Sequence, residues 1–475
     1  MIGDDLFGAA ILLTVLFAVL AAGELWARIG TPDAEQSRKF VHLGSAAGCL
    51  LFPFLIESPF VVGAMAAGMS AFFAFAGRVE LLESLHGVER TSRGSEYYAL
   101  AIFLVFLLAA DDLWVYFSSV LILGVADAFA ALVGTRWGRL RYSVQESTKS
   151  LEGSLAFFLI TCAAVLLTAP LFADIPWPNL VHIAVATAVL LTCFEAISLK
   201  GADNLLVPVA AAVILEKLAA DPLSVLLFQN LHLLAIFAGM FTANLAARRI
   251  AGSEEPPFDA GGIIAFAMFA FGAWALAGAP WALPVWVGFI GAIGAWFASR
   301  RLTGVDLSMR IRPTYRALLL PFAVILVANV LRDWTSFYAV YLGVGAVVLS
   351  CAVTTLWRPN TAVRGPLYST RFCTIVGLAA ALVVVVPAWL WYPQLSPVTA
   401  LVIIAVTPAV SALNFRIVER RARRQDDDYY WPASQLALAF AVGLGMYAAL
   451  ELGWLPEWTV PEDRELLRYQ WQRWW

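Results

Sequence analysis

The chain has 475 residues, of which 61% are hydrophobic and only 14% charged, with a formal net charge of −3; its mean hydropathy is +0.79. That balance excludes a soluble globular domain and leaves no broad basic face for nucleic acid. The five cysteines, Cys49, Cys162, Cys193, Cys351 and Cys373, are scattered through apolar segments without Cys-x-x-Cys or Cys/His clustering, so neither a disulfide framework nor a zinc site is supported.

Apolar runs recur from end to end, each long enough for a hydrocarbon core about 30 Å thick. Backbone groups in lipid must bond internally, which leaves helices or closed barrels. Continuous runs without period-two alternation exclude the barrel. The expected fold is an all-α, polytopic transmembrane helical bundle of about 14–16 spans in two tandem membrane domains. Spans fall near 6–22, 40–55, 58–77, 98–110, 113–134, 154–172, 180–198 and 203–218, then near 222–246, 260–279, 280–298, 315–331, 335–356, 372–391, 395–413 and 432–453. The runs 98–110 and 203–218 are short for a full crossing. Residues 1–220 form the first expected domain and 221–453 the second. Residues 454–475, rich in Trp and Leu, read as an interfacial amphipathic tail. The opening MIGDDL has no basic region, so the first run reads as a retained helix rather than a cleaved signal peptide.

Lys and Arg in short loops orient the bundle. With Asp4 and Asp5 outside, the alternation of spans puts the basic loops on the cytoplasmic side. Of 31 Lys and Arg, only Lys217, Arg332, Arg464, Arg468 and Arg473 fall on the other side. Arg136, Arg139 and Arg141 read mostly as such topology signals. His86, His182 and His232 read as packing or surface residues, and Asp426 to Asp428 as a solvated cluster.

An ionisable residue inside a membrane helix is a functional hypothesis by default. Asp127 is such a residue, and other polar groups converge on the same face. Arg38 and His42 are four apart and share a helix face, with Lys39 beside them. Ala131 and Gly134 continue the Asp127 stripe, where small side chains let a backbone or a ligand come close. Lys149 precedes Ser150, Glu152, Gly153 and Ser154 at the start of a span. Glu195 and Ser198 close another, and Asp203 and Asn204 open the next.

These residue types suit phosphoryl or nucleotidyl transfer, which is mostly positioning and charge stabilisation. Asp127, Glu195 and Asp203 are candidate ligands for Mg²⁺, which takes a few carboxylates plus phosphate oxygens and water. Arg38, Lys39 and Lys149 are candidate phosphate partners, and Gly153 with the helix start at Ser154 offers backbone N–H groups to an anion. No G-x-x-x-x-G-K-[ST] loop and no kinase set of a glycine-rich loop with HRD and DFG is present.

Four blocks in order carry a family resemblance over roughly residues 20–220. Glu24 precedes RKFVH, with Arg38, Lys39 and His42. ADAFAALVGTRWG carries Asp127, Ala130, Gly134 and Gly138. TKSLEGS carries Lys149, Glu152, Gly153 and Ser154. FEAISLKGADNLLVP carries Glu195, Ser198, Asp203, Asn204 and Pro208. Together they resemble the polyprenol, dolichol and phytol kinases, integral-membrane enzymes that take phosphate from CTP. Three positions depart from the family's pattern: Ala126 stands for a glycine, Ser150 for a threonine and Thr148 for a lysine. CDP-diacylglycerol synthases share two of the blocks, but their C-terminal signature is absent.

The resemblance implies a CTP-dependent kinase of a membrane lipid alcohol at the cytoplasmic face. Asp127, Lys149 and His42 are then the expected catalytic residues, with His42 or one of the acids accepting the alcohol proton. Arg38, Lys39, Gly134, Gly138, Ser150, Glu152, Gly153, Ser154 and Asn204 are the expected substrate- and nucleotide-binding residues. Asp127, Asp203 and Glu195 are the expected Mg²⁺ ligands. A cytidylyltransferase forming a CDP-lipid and a non-catalytic lipid transporter or scaffold stay open as alternatives. A transporter predicts polar groups near the bilayer midplane in matched repeats.

The second half more faintly resembles a membrane family that accompanies phytol kinases and phosphorylates phytyl phosphate. FDAGGIIAF, FAVILVANVL with Asn329, and YLGVGAVVLSCAVTTLW carry that likeness. Cys351 and Leu356 stand where that family has acids, and RGPLYSTRF replaces its glycine-rich turn. The expectation is a retained fold without the second reaction.

Overall fold

The sixteen apolar runs are predominantly helical in the computed structural model, the run 40–55 being broken by a turn at Leu50 and Leu51; the structure describes residues 2–30, 34–78, 94–144, 147–198, 201–303, 311–331, 333–356, 369–391, 395–422 and 430–456. Twelve helices among the described residues are long and apolar enough to cross a membrane. The runs that miss that length include Gly94–Ala109 and the apolar part, Ala317–Asn329, of a longer helix. The chain is a polytopic helical bundle, as its hydropathy dictates. The expected interfacial tail lies outside the described residues from 457 onward.

The chain divides into two compact units, Met1–Leu231 and His232–Trp475. The first contains α1 (Ile2–Gly30), α2 (Ala34–Cys49), the single turn α3 (Phe52–Leu55), α4 (Pro59–Arg78) and α5 (Gly94–Ala109). Next comes α6 (Leu113–Leu121), which runs through a π-helical turn, Ile122–Ala126, into α7 (Asp127–Trp137). A β-hairpin follows, β1 (Arg141–Val144) and β2 (Ser147–Ser150), then α8 (Leu151–Phe172), α9 (Trp177–Ile197) and α10 (Asp203–Ala219). Helix α11 (Leu223–Ala251) begins in this unit.

The core of the first unit gathers α6, α8, α9 and α10 around Trp114, Tyr116, Phe157, Leu123 and Ile183, all fully buried. Several of its polar groups are paired, as burial favours, whereas the buried hydroxyls of Thr161 and Thr187 have no hydrogen-bond partner among the described residues. Trp114 Nε1 donates to the Val165 carbonyl at 3.2 Å, Tyr116 Oη to the Cys49 carbonyl at 2.8 Å, and Ser118 and Thr168 share a 2.7 Å bond. Asp112 caps α6 by accepting from Val115 N at 3.1 Å. Gly124, in the π-turn, packs directly on Ala46 of α2, where any Cβ would overlap the alanine methyl. This close approach sets the distance between α2 and the helix that carries Asp127.

Between the spans 113–134 and 154–172, where the sequence reads as a basic loop, the structure places a short hairpin. Tyr142 pairs with Lys149 and Arg141 with Ser150 in antiparallel register. Four-residue strands are too short for a legible period: RYSV alternates through Tyr142 and Val144 for only two apolar positions, and STKS has none.

The second unit holds α12 (Ala260–Ala277), α13 (Ala279–Thr303), α14 (Ile311–Leu331), α15 (Trp334–Leu356), α16 (Thr370–Trp391), α17 (Pro397–Ala422) and α18 (Tyr430–Glu451). Helix α15 is its axis: 89% of its most apolar stretch is buried. Tyr341 Oη donates to the Trp281 carbonyl at 2.8 Å, and Ser350 donates to Ser411, which donates to the Cys373 carbonyl at 2.7 Å. Cys351 is buried beside this serine chain. Glycine Gly377 lies against the backbone of Pro408 and Thr407, a contact that admits no side chain.

Candidate active site

Helix α2 presents Lys39 and His42, three residues apart, on one face toward Asp127. Lys39 is 3% exposed. Its Nζ lies 2.5 Å from Asp127 Oδ2 and donates to the Asp127 carbonyl at 3.3 Å. His42 Nε2 lies 3.3 Å from the same Oδ2 and 2.8 Å from the Leu123 carbonyl. A carbonyl only accepts, so Nε2 carries the proton and the imidazole lone pair sits on Nδ1. Leu123 belongs to the π-turn, and π-turns within α-helices concentrate at functional sites. Arg38 is a charged neighbour of both Asp127 and His42. The upstream Glu24 pairs with Arg28 on α1 at 2.9 Å.

A second ion pair is built by the hairpin. Register places Lys149 opposite Tyr142, and its Nζ lies 2.6 Å from Glu195 Oε1 at the end of α9. It also donates to the Glu195 carbonyl. Burial works to lower the Lys149 pKa, but the carboxylates of Glu195 and Asp203 outweigh it and hold the ammonium above its ordinary value. Ser198 ends α9 by donating from Oγ to the Phe194 carbonyl at 2.6 Å.

Asp203 joins the two pairs. It opens α10 after Gly201, whose φ of 82° requires the left-handed region that glycine enters freely. Its charged neighbours are Asp127, Lys149 and Lys39. Arg38, Lys39, His42, Asp127, Lys149, Glu195 and Asp203 therefore form one electrostatic locus, drawn from α2, α7, β2, α9 and α10.

The remaining expected binding residues are used by the scaffold. Ser150 caps α8 by accepting from Gly153 N at 3.1 Å, so that N–H is engaged within the helix start rather than offered to an anion. Glu152 accepts from Arg139 N at 3.0 Å and from Leu140 N at 3.1 Å, closing the loop onto itself. Ser154 shares a 2.7 Å bond with Tyr142 Oη. Gly134, Gly138 and Gly153 let α7 and α8 touch: a Cβ on Gly153 would meet the Ala130 carbonyl at 2.9 Å, and one on Gly134 would meet Ser150 Oγ at 3.0 Å. The small-residue stripe thus admits a backbone. Asn204 is buried and donates to the Gly94 carbonyl at 3.0 Å, pinning α10 to α5. Tyr142 and the π-turn were not legible in sequence; neither carries a charge or a spacing that marks it.

Among the described residues no group of three or more His, Cys, Asp and Glu closes into a ready metal cage. The donors nonetheless fit Mg²⁺, which is usually held by one or two carboxylates together with substrate phosphates rather than by an all-protein shell. Asp127 and Asp203 supply such carboxylates at one locus.

A membrane bundle with a largely buried, charge-balanced cluster on one of its units is the architecture of a membrane-embedded enzyme. No family model matches the sequence, and no solved structure matches it. A phytol kinase of Synechocystis sp. is 38% identical over 208 residues, which is 42% of this chain and 87% of that kinase. At that identity and coverage the chain belongs to the polyprenol and phytol kinase family. It is an integral, multi-pass membrane protein and a kinase that phosphorylates an alcohol.

Proposed function

We propose that the chain transfers the γ-phosphoryl group of CTP, with Mg²⁺, to a long-chain isoprenoid alcohol of the phytol, polyprenol or dolichol type. The observation that carries this reading is the pairing of Lys39 with Asp127 and Lys149 with Glu195 around Asp203. Lipid-alcohol phosphorylation is the chemistry of its relative's name, and this cluster has the cations and carboxylates that it needs.

Three cations stand against three carboxylates before any substrate arrives. An incoming triphosphate competes with Asp127 and Glu195 for the ammonium groups of Lys39 and Lys149. Arg38, Lys39 and Lys149 then stabilise charge on the transferring group. Asp127 and Asp203 would hold Mg²⁺, which would supply charge neutralisation at the phosphate oxygens; the expected third ligand, Glu195, is paired with Lys149 instead. The alcohol oxygen forms a bond to the γ-phosphorus as the bond from that phosphorus to the bridging oxygen breaks. CDP leaves with the bond pair. His42 or one of the carboxylates takes the alcohol proton. The excess of Lys and Arg in the short loops on this side supports a cytoplasmic orientation, where nucleotide is available.

The test is purified full-length protein with γ-labelled CTP, γ-labelled ATP and a set of lipid alcohols. Labelled lipid phosphate together with CDP is the expected result. Release of pyrophosphate with a CDP-lipid product would assign the chain to the cytidylyltransferases instead.

A further inference from the structure

The catalytic cluster adjoins a cavity in the first unit that the chemistry above does not use. It lies among α1, α2, α3, α4 and α5 and is partly open. Leu16, Val62, Met65, Met69 and Phe103 make its wall apolar, and Tyr98 and Ser45 are its polar members. Flexible methionines suit a wall that must fit a long, irregular chain.

Tyr98 links this cavity to the cluster. Its ring meets the His42 ring edge-on, with centroids 4.9 Å apart, and His42 Nε2 lies 3.3 Å from Asp127 Oδ2. Asp127 is among the charged groups near Tyr98. The Tyr98 hydroxyl oxygen is buried and has no hydrogen-bond partner among the described residues. A buried hydroxyl left unpaired is costly, and in native structures it calls for an explanation such as an absent ligand. An apolar cavity with a buried, unpaired tyrosine hydroxyl, touching a kinase site, suits an amphiphile: a hydrocarbon chain with a polar head.

We propose that this cavity is the acceptor subsite, in which the hydrocarbon chain of the lipid alcohol lies between α1, α4 and α5 and Tyr98 hydrogen-bonds its hydroxyl group beside His42. The proposal rests on the kinase reading above and assigns its acceptor side. The open mouth lets a chain longer than the cavity continue into the bilayer. Tyr98 is a substrate-binding residue here, and the length and bulk of the alcohol are set by the α4 wall.

The experiment uses full-length protein, γ-labelled CTP and straight and branched alcohols of increasing length. Ala66 lines the cavity. Ala66→Phe should narrow it, lowering kcat/KM for the longest alcohols by roughly tenfold or more while sparing short ones and the KM for CTP. Tyr98→Phe should raise the alcohol KM by roughly tenfold, the worth of one hydrogen bond, again without moving the KM for CTP. Met69→Ala should widen acceptance toward bulkier alcohols, and it serves if the larger substitution fails to fold. An unchanged alcohol profile in a folded Ala66→Phe or in Met69→Ala overturns the subsite, as does an unchanged alcohol KM in Tyr98→Phe. If the native protein phosphorylates none of the alcohols, the kinase reading falls and the subsite with it.

Discussion

Lys39 and Asp127, 88 positions apart in sequence, meet at 2.5 Å in a setting where the lysine side chain is 4% exposed and the aspartate 18%. Removing one partner of such a buried pair leaves an uncompensated charge and costs about 3–5 kcal/mol, whereas replacing both with apolar residues is often nearly neutral. Lys39→Met or Asp127→Asn should therefore lower the melting temperature and abolish turnover. The double replacement Lys39→Met with Asp127→Leu should recover the melting temperature and stay inactive. Activity in the double variant would remove this pair from the chemistry.

Lys149 gives a prediction about pH. Its folded pKa lies above the ordinary lysine value of 10.5, because Glu195 and Asp203 favour the ammonium more than burial disfavours it. A group with a raised pKa contributes stability that is complete below its unfolded value and is lost as pH rises through the folded one. The melting-temperature gap between the native protein and Lys149→Met should stay level through neutral pH and close only on the alkaline side of that ordinary value. Closure near neutral pH would contradict the Lys149–Glu195 pair.

Glu152 holds the loop before the hairpin by its backbone N–H groups at Arg139 and Leu140. Glu152→Ala should speed amide exchange at those two positions. It should also raise the KM for CTP, since the same loop positions Lys149, with little change in the alcohol KM. A variant with protected amides and a normal KM for CTP would mean that the hairpin holds without this carboxylate.

Gly124 and Ala46 form a tight crossing between the π-turn and α2. Gly124→Ala should push α2 away and impair both folding yield and turnover. Ala46→Gly in the same chain makes room for the new methyl and should rescue both. Failure of that rescue would mean the glycine is needed for its backbone and not for space.

In the second unit, Cys351 is buried next to Ser350, whose hydroxyl bonds Ser411. We propose that this unit has lost a phosphoryl-transfer site while keeping its helices. Cys351→Ala and Leu356→Ala should each leave alcohol phosphorylation unchanged. Loss of turnover in either would restore a catalytic role to this half.

The spans were legible because lipid permits so few solutions: an apolar run of sufficient length has to be a helix. The ion pairs were legible only as ingredients. Arg38 and His42 share a face at four-residue spacing, yet it is Lys39, three residues from His42, that closes on Asp127. Residue type marked the right segment, and only packing against the π-turn decided which cation faces inward. The glycines show the converse. Gly134, Gly138 and Gly153 look the same in sequence whether they make room for a nucleotide or for a helix, and here α7 and α8 fill the room. Tyr98 sits in the run GSEYYAL with no spacing to set it apart, and only the cavity reveals it.

The π-turn at Ile122–Ala126 amounts to one surplus residue inserted in a helix, directly before Asp127. The wider turn absorbs that residue locally, so the helix on either side keeps its phase and a one-residue deletion there would leave Asp127 facing Lys39. What the deletion would remodel is the turn itself, whose Leu123 carbonyl accepts from His42 Nε2. The length of this turn thus sets how the imidazole is anchored, and two homologues differing by one residue in it would keep the ion pair and hold the histidine differently.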